Sequence, residues 1–121
     1  MNIELKSVSD LIPYDKNPRN NSKAVKQVKA SIEKFGFMVP LIIDRNNVVI
    51  CGHTRLLALK ELHIEKVHCV VADDLNAEEV KAFRLVENKV SRKATWNLAM
   101  LESELTAIDF DMSDLGFDFD V

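Results

Sequence analysis

A chain of 121 residues has room for one domain, which excludes a polymerase, a kinase or a two-domain dehydrogenase. Hydrophobic residues at 47% and charged residues at 29% describe a globular chain with a real core, and no apolar run approaches a bilayer span. The net charge of −3 conceals an asymmetry: the first forty residues carry seven Lys/Arg against four Asp/Glu, whereas from Glu102 onward there are seven acids and no base.

The opening hexapeptide Met1-Asn2-Ile3-Glu4-Leu5-Lys6 is not a signal peptide, and Cys51 and Cys69 form no CxxC pair. A cytoplasmic protein with no membrane association is expected. Pro13 to Asn21 is dense in turn formers and reads as a loop. Val25, Val28, Ile32 and Phe35 recur at helical spacing behind Ser22, an expected N-cap, with Gly36 as the stop, so a helix is predicted over 22–35. Leu41-Ile42-Ile43 and Val48-Val49-Ile50 flank Asp44-Arg45-Asn46-Asn47 and predict a β-hairpin. Cys51-Gly52-His53-Thr54-Arg55 follows directly and opens a helix whose apolar face is Leu56, Ala58, Leu59 and Leu62. Val67 to Ala72 reads as a central strand. Asn76 with Glu79 forms a capping box for a helix through Val80, Phe83, Val86 and Val90, and Asn97 caps a last helix with the face Leu98, Leu101, Leu105 and Ile108. One domain over 1–110 and an acidic, loosely ordered tail over 111–121 are expected.

The chemistry concentrates at two places. At a helix start, unpaired backbone N–H groups and a partial positive charge meet a glycine and the fixed cation of Arg55, which is the chemistry of a phosphate site. Glu87 and Asn88 offer hard oxygen donors to magnesium or to a sugar, unless they are simply a solvated helix face. A zinc site from Cys51, His53, His68 and Cys69 is disfavoured, since adjacent strand residues His68 and Cys69 point to opposite faces. His63 reads as helix-terminal surface. Lys16, Arg19, Lys23, Lys26 and Lys29 are able to approach a nucleic-acid backbone, although a solvated face is the simpler reading.

Taken in order, these segments resemble the ParB/sulfiredoxin superfamily, in particular its ParB-like N-terminal (ParB-like nuclease) domain. Leu11-Ile12-Pro13-Tyr14 with Asn17-Pro18-Arg19 resembles the first box, and Phe35-Gly36-Phe37 with Pro40-Leu41-Ile42-Ile43 the helix-to-hairpin segment. Gly52-His53-Thr54-Arg55 stands at the GERR-type phosphate box and Glu87-Asn88 at the ENxxR box, with Arg92 one residue later than that box's arginine. Asp73-Asp74-Leu75, Thr95-Trp96-Asn97 and Leu115-Gly116-Phe117 resemble the phage and mobile-element type often found before DNA methyltransferase modules.

The resemblance implies an α/β fold (α+β in layout), with a small mixed sheet, a hairpin and about four helices. It implies a pocket for a nucleoside triphosphate, CTP or ATP, with Mg2+. Gly52, His53, Thr54, Arg55, Asn88 and Arg92 would bind nucleotide, Glu87 and Asn88 the metal, and Asn17 and Arg19 a DNA phosphate. The role implied is partition, DNA modification or mobile-element maintenance, with DNA held weakly or through a partner or further domain; a homodimer is left open. The alternatives are a small metal-dependent nuclease or phosphotransferase with His53 as acid/base, and a non-catalytic interaction scaffold. His53 replaces a glutamate associated with hydrolysis, and Cys51 lies two positions before the sulfiredoxin cysteine, so sulfinic-acid reduction is not expected.

Overall fold

The computed structural model describes residues 1–14, 22–93 and 97–117, excluding the side chains of 91–93. Helix α1 (Ser22–Phe35) ends where expected, because Gly36 adopts φ +85° and its N–H returns to Ile32 O. Ser22 is the first helical residue instead of the cap preceding it. Strands β2 (Leu41–Ile43) and β3 (Val49–Cys51) form the predicted antiparallel hairpin. In its turn Asn47 takes φ +66°, and one Asp44 carboxylate oxygen accepts from the N–H groups of both Asn46 and Val48. Helix α2 (His53–Glu61) starts directly behind β3, and β4 (Lys66–Val71) follows.

Strand β4 is central as its apolar run implies: it pairs parallel with β2 and antiparallel with β1 (Asn2–Ser7), giving the order β1-β4-β2-β3. Strand β1 was not among the expected elements. Its signal is the alternation of Ile3 and Leu5 with polar neighbours, which belongs to an exposed edge strand; Ile3 remains 71% and Leu5 55% exposed.

Alternation within the strands divides the core. Leu41, Ile43, Val49, Cys69 and Val71 lie in one buried cluster with Leu56 and Leu59 of α2, and Ile32 of α1 packs against it. Ile50 and Ala72 form a second cluster with Val80 of α3 (Ala77–Lys93), supported by Phe83. The capping box of α3 is reciprocal: Glu79 N–H donates to Asn76 Oδ1 at 2.8 Å and Asn76 N–H to Glu79 Oε1 at 3.0 Å. The far half of the predicted α3 face is not covered, with Val86 54% and Val90 61% exposed. Helix α4 (Leu98–Thr106) is capped by Asn97 Oδ1, which accepts from Met100 N–H, and buries Leu101. The segment expected to be loosely ordered is folded in part: residues 113–115 form a 3-10 turn that contacts α1. Among the described residues, no helix is long and apolar enough to cross a membrane.

Helix α2 ends without glycine. His63 takes φ +56°, its N–H returns to Lys60 O and Ile64 N–H to Leu59 O, a Schellman pattern with histidine in the left-handed position. His63→Gly is expected to stabilise the protein by about 1 kcal/mol, the cost a side chain incurs in left-handed backbone. The measurement is the urea midpoint at unchanged slope; an unaltered or lower midpoint rules this out.

Candidate functional site

The sharp connection from β3 into α2 builds the site. Gly52 holds φ +103° and caps the helix with no side chain, and the first intrahelical bond runs from Leu56 N–H to Gly52 O. The N–H groups of His53, Thr54 and Arg55 precede that bond and face outward at the positive end of the helix. Helices α3 and α4, by contrast, have their starts closed by asparagine side chains. Gly52 has a second reason to be glycine: a Cβ there would lie 2.5 Å from Leu41 Cδ2 in the core.

A cleft of about 230 Å3 opens over this turn, lined by Cys51 to Arg55 on one side and by Arg84, Glu87 and Asn88 of α3 on the other. Gly52, His53, Thr54, Arg55, Glu87 and Asn88, singled out separately in the sequence, therefore meet in one cavity. Neighbouring helical positions are about 100° apart, so Glu87 and Asn88 cannot both face it squarely. Asn88 is half-buried and Glu87 exposed. The side chain of Arg92, and Asn17 and Arg19, lie outside the described residues.

Arg55 serves the fold as well as the cleft. Its Nη1 donates to Val39 O at 3.1 Å and to Pro40 O at 2.9 Å, tying the chain that enters β2, and burial pulls its pKa down from the ordinary value. At the end of β3, burial pushes the Cys51 thiol up, and Glu87 adds to that, which disfavours the thiolate. Among the described residues no three His, Cys, Asp or Glu side chains gather to hold a metal, so the zinc arrangement does not form.

Sequence reasoning missed Arg84. Its Nη2 donates to Val49 O at 3.1 Å and its guanidinium lies over the Tyr14 ring, 3.6 Å from the centroid. Its Nε is buried without a hydrogen-bond partner, an unusual state for a cation. The signal available was weak: an arginine one turn before Glu87 on the same helix face. Tyr14 is brought beside Arg84 and His53 because Ile12 bridges to the edge of β3, donating to Asn47 O and accepting from Val49 N–H.

His53 is held by the same segment. Tyr14 N–H donates to His53 Nε2 at 3.1 Å, so the ring is neutral with its proton on Nδ1. Burial, and then the Arg84 charge, lower its pKa from the ordinary 6.5. The unfolded chain binds this proton more readily than the folded one. The stability from His53 is therefore complete above about pH 6.5 and is lost as pH falls through the lower folded value. Stability should decline from pH 7.5 to 5, and His53→Gln, which accepts the same bond without titrating, should flatten that decline. An equal decline in the variant would remove His53 as its cause.

Comparison with known proteins follows the same outline. The model of the ParB N-terminal domain matches residues 2–89, and the chain belongs to that family. It is similar to the ParB-like nuclease domain-containing protein YnaK of Escherichia coli (strain K12), 32% identical over 80 residues, covering 65% of this chain and 92% of that protein. The probable chromosome-partitioning protein ParB of Campylobacter jejuni is 30% identical over 91 residues, 71% of this chain but only 31% of that one. The chain thus spans most of the first relative and under a third of the second. Among solved structures, a Pnob8-like ParB-N domain has TM-score 0.57 at 29% identity, covering 69% of this chain and 34% of that one. The C-terminally truncated chromosome-partitioning protein ParB from Caulobacter crescentus, complexed with CTP-γ-S, has TM-score 0.69 over 88% of this chain and 61% of its own; at 18% identity this is a likeness of fold.

Proposed function

We propose that this chain binds a nucleoside triphosphate, CTP or ATP, with its phosphates in the cleft between the start of α2 and α3. In this reading it is the nucleotide-responsive domain of a DNA-associated system for partition, DNA modification or mobile-element maintenance. The observation that carries the reading is the convergence in one cavity of an uncapped helix start, two arginines and the Glu87-Asn88 pair. Membership of the ParB N-terminal family and the CTP-γ-S complex of the Caulobacter protein support it.

The cleft of about 230 Å3 is smaller than the roughly 300–1,000 Å3 of whole small-molecule sites. It suits the phosphates, with sugar and base outside. Backbone N–H groups of His53 to Arg55 donate to phosphate oxygens, and Arg55 and Arg84 balance their charge. Magnesium is commonly held by one or two carboxylates and substrate phosphates, and the donor set of Glu87 and Asn88 fits that use. The nuclease or phosphotransferase alternative has less support, because His53 Nε2 is already engaged and, among the described residues, no three His, Cys, Asp or Glu side chains are placed to hold a metal.

A thermal-shift panel of CTP, ATP, GTP and UTP, with magnesium and with a chelator, tests the reading. A ligand at one hundred times its Kd adds about 2.7 kcal/mol, a rise of roughly ten degrees in Tm for a chain this size. The rise should be larger with magnesium. No shift with any of the four at saturating concentration would leave the interaction scaffold as the better account.

A further inference from the structure

The charge asymmetry of the sequence reappears as a contact. Lys23, Lys26 and Lys34 of α1 share a groove of about 820 Å3 with Asp111 and Asp114 of the C-terminal segment. That segment is seated by packing: Phe110 lies against Phe35 with ring centroids 6.1 Å apart, and Lys34 Nζ stands 4.0 Å above the Phe110 ring. Gly116 comes so close to α1 that a Cβ would lie 2.9 Å from the Gln27 amide. Among the described residues none of these lysines forms an ion pair with the aspartates; the pairs found involve Lys6, Lys29 and the N-terminus. The groove, which Lys29 and Glu33 also line, thus brings opposite charges near each other without a direct bridge between these lysines and aspartates, an arrangement another polyanion can displace.

We propose that the lysine face of α1 is a surface for the phosphate backbone of duplex DNA, and that the chain's own acidic segment, Asp109 to Phe117, covers it as a competing polyanion. Lys23 and Lys26 are exposed, and Lys23, Gln27 and Lys34 recur at helical spacing on the side that receives the segment, while Val25 is buried away from it. A backbone-binding face of this kind carries no sequence readout. The inference is independent of nucleotide binding, since none of its residues lines the cleft over Gly52.

Fluorescence anisotropy of the full chain with a short mixed-sequence duplex at low salt provides the test. Asp111→Asn with Asp114→Asn keeps the side-chain oxygen that accepts from Ser113 N–H and removes the charge. It should raise affinity about three- to tenfold and steepen the log–log salt slope by about one to two. Gly116→Val, whose branched side chain cannot hold φ +97°, should loosen the segment and raise affinity without any change of charge. Lys23→Gln with Lys26→Gln should cancel both gains. Asp74→Asn with Glu78→Gln removes as much charge outside the groove and should leave affinity within twofold. Unchanged affinity in the Asp111/Asp114 variant, a gain that survives loss of the lysines, or an equal gain in the Asp74/Glu78 variant overturns the proposal, with circular dichroism confirming that each variant is folded.

Discussion

Gly52→Ala is expected to cost about 3 kcal/mol of stability, from left-handed backbone at roughly 1–2 kcal/mol and overpacking at roughly 1–3 kcal/mol. The backbone at φ +103° lies beyond the small left-handed region open to residues with a side chain, and the new methyl would meet Leu41, which has no solvent exposure. Relief requires the β3 to α2 turn to back away from the sheet, because Leu41 is enclosed on its other sides by the main core cluster. Against a total of about 5–15 kcal/mol for a domain, the loss is large, and urea unfolding should show it directly. A loss below about 1 kcal/mol would mean that the turn adjusts freely, and the packing account of Gly52 would fail. Impaired ligand binding in this variant alone would not identify a phosphate site, because the variant also disturbs the core.

Much of the fold is legible in the sequence wherever periodicity and end signals agree. The Asn76/Glu79 box, the Asn97 cap, the Gly36 stop and the asparagine in the hairpin turn all stand where residue type and spacing place them. What was not legible depends on tertiary contact. Edge strand β1 has too little burial to produce an apolar run. The outer half of α3 has a helical apolar pattern that the described residues leave uncovered. The seating of Gly116 on Gln27 joins positions distant in sequence and has no local signature. At the site, residue types identified the phosphate turn and the Glu87-Asn88 pair, but not their common cavity, which follows from packing α3 beside β3. For Arg55, residue type allowed a ligand or an internal carboxylate as partner, whereas the structure gives its guanidinium two backbone carbonyls, those of Val39 and Pro40.

Arg84 is the side chain on which the site should depend most, and Arg84→Met is expected to weaken triphosphate binding about ten- to hundredfold, the value of one or two charge-assisted hydrogen bonds. Methionine keeps an apolar stem beside Tyr14 and removes the charge, the bond to Val49 O and the buried Nε donor. The stability cost should be small, about 1 kcal/mol, because the lost Nη2 bond is offset by relief of an unpartnered buried donor. Arg55→Met should show the opposite balance: removing Nη1 leaves the Val39 and Pro40 carbonyls without their donor, so stability falls by about 1–2 kcal/mol beside any loss of affinity. Calorimetric titration well below each variant's Tm, paired with urea unfolding, separates the two effects. His53 offers an internal marker, since loss of the Arg84 charge removes one cause of its lowered pKa and should move its titration upward. Unchanged affinity in folded Arg84→Met, with the His53 titration moved as expected, would show that Arg84 supports Tyr14 and β3 without touching the ligand, and would return the anion site to the α2 turn and Arg55.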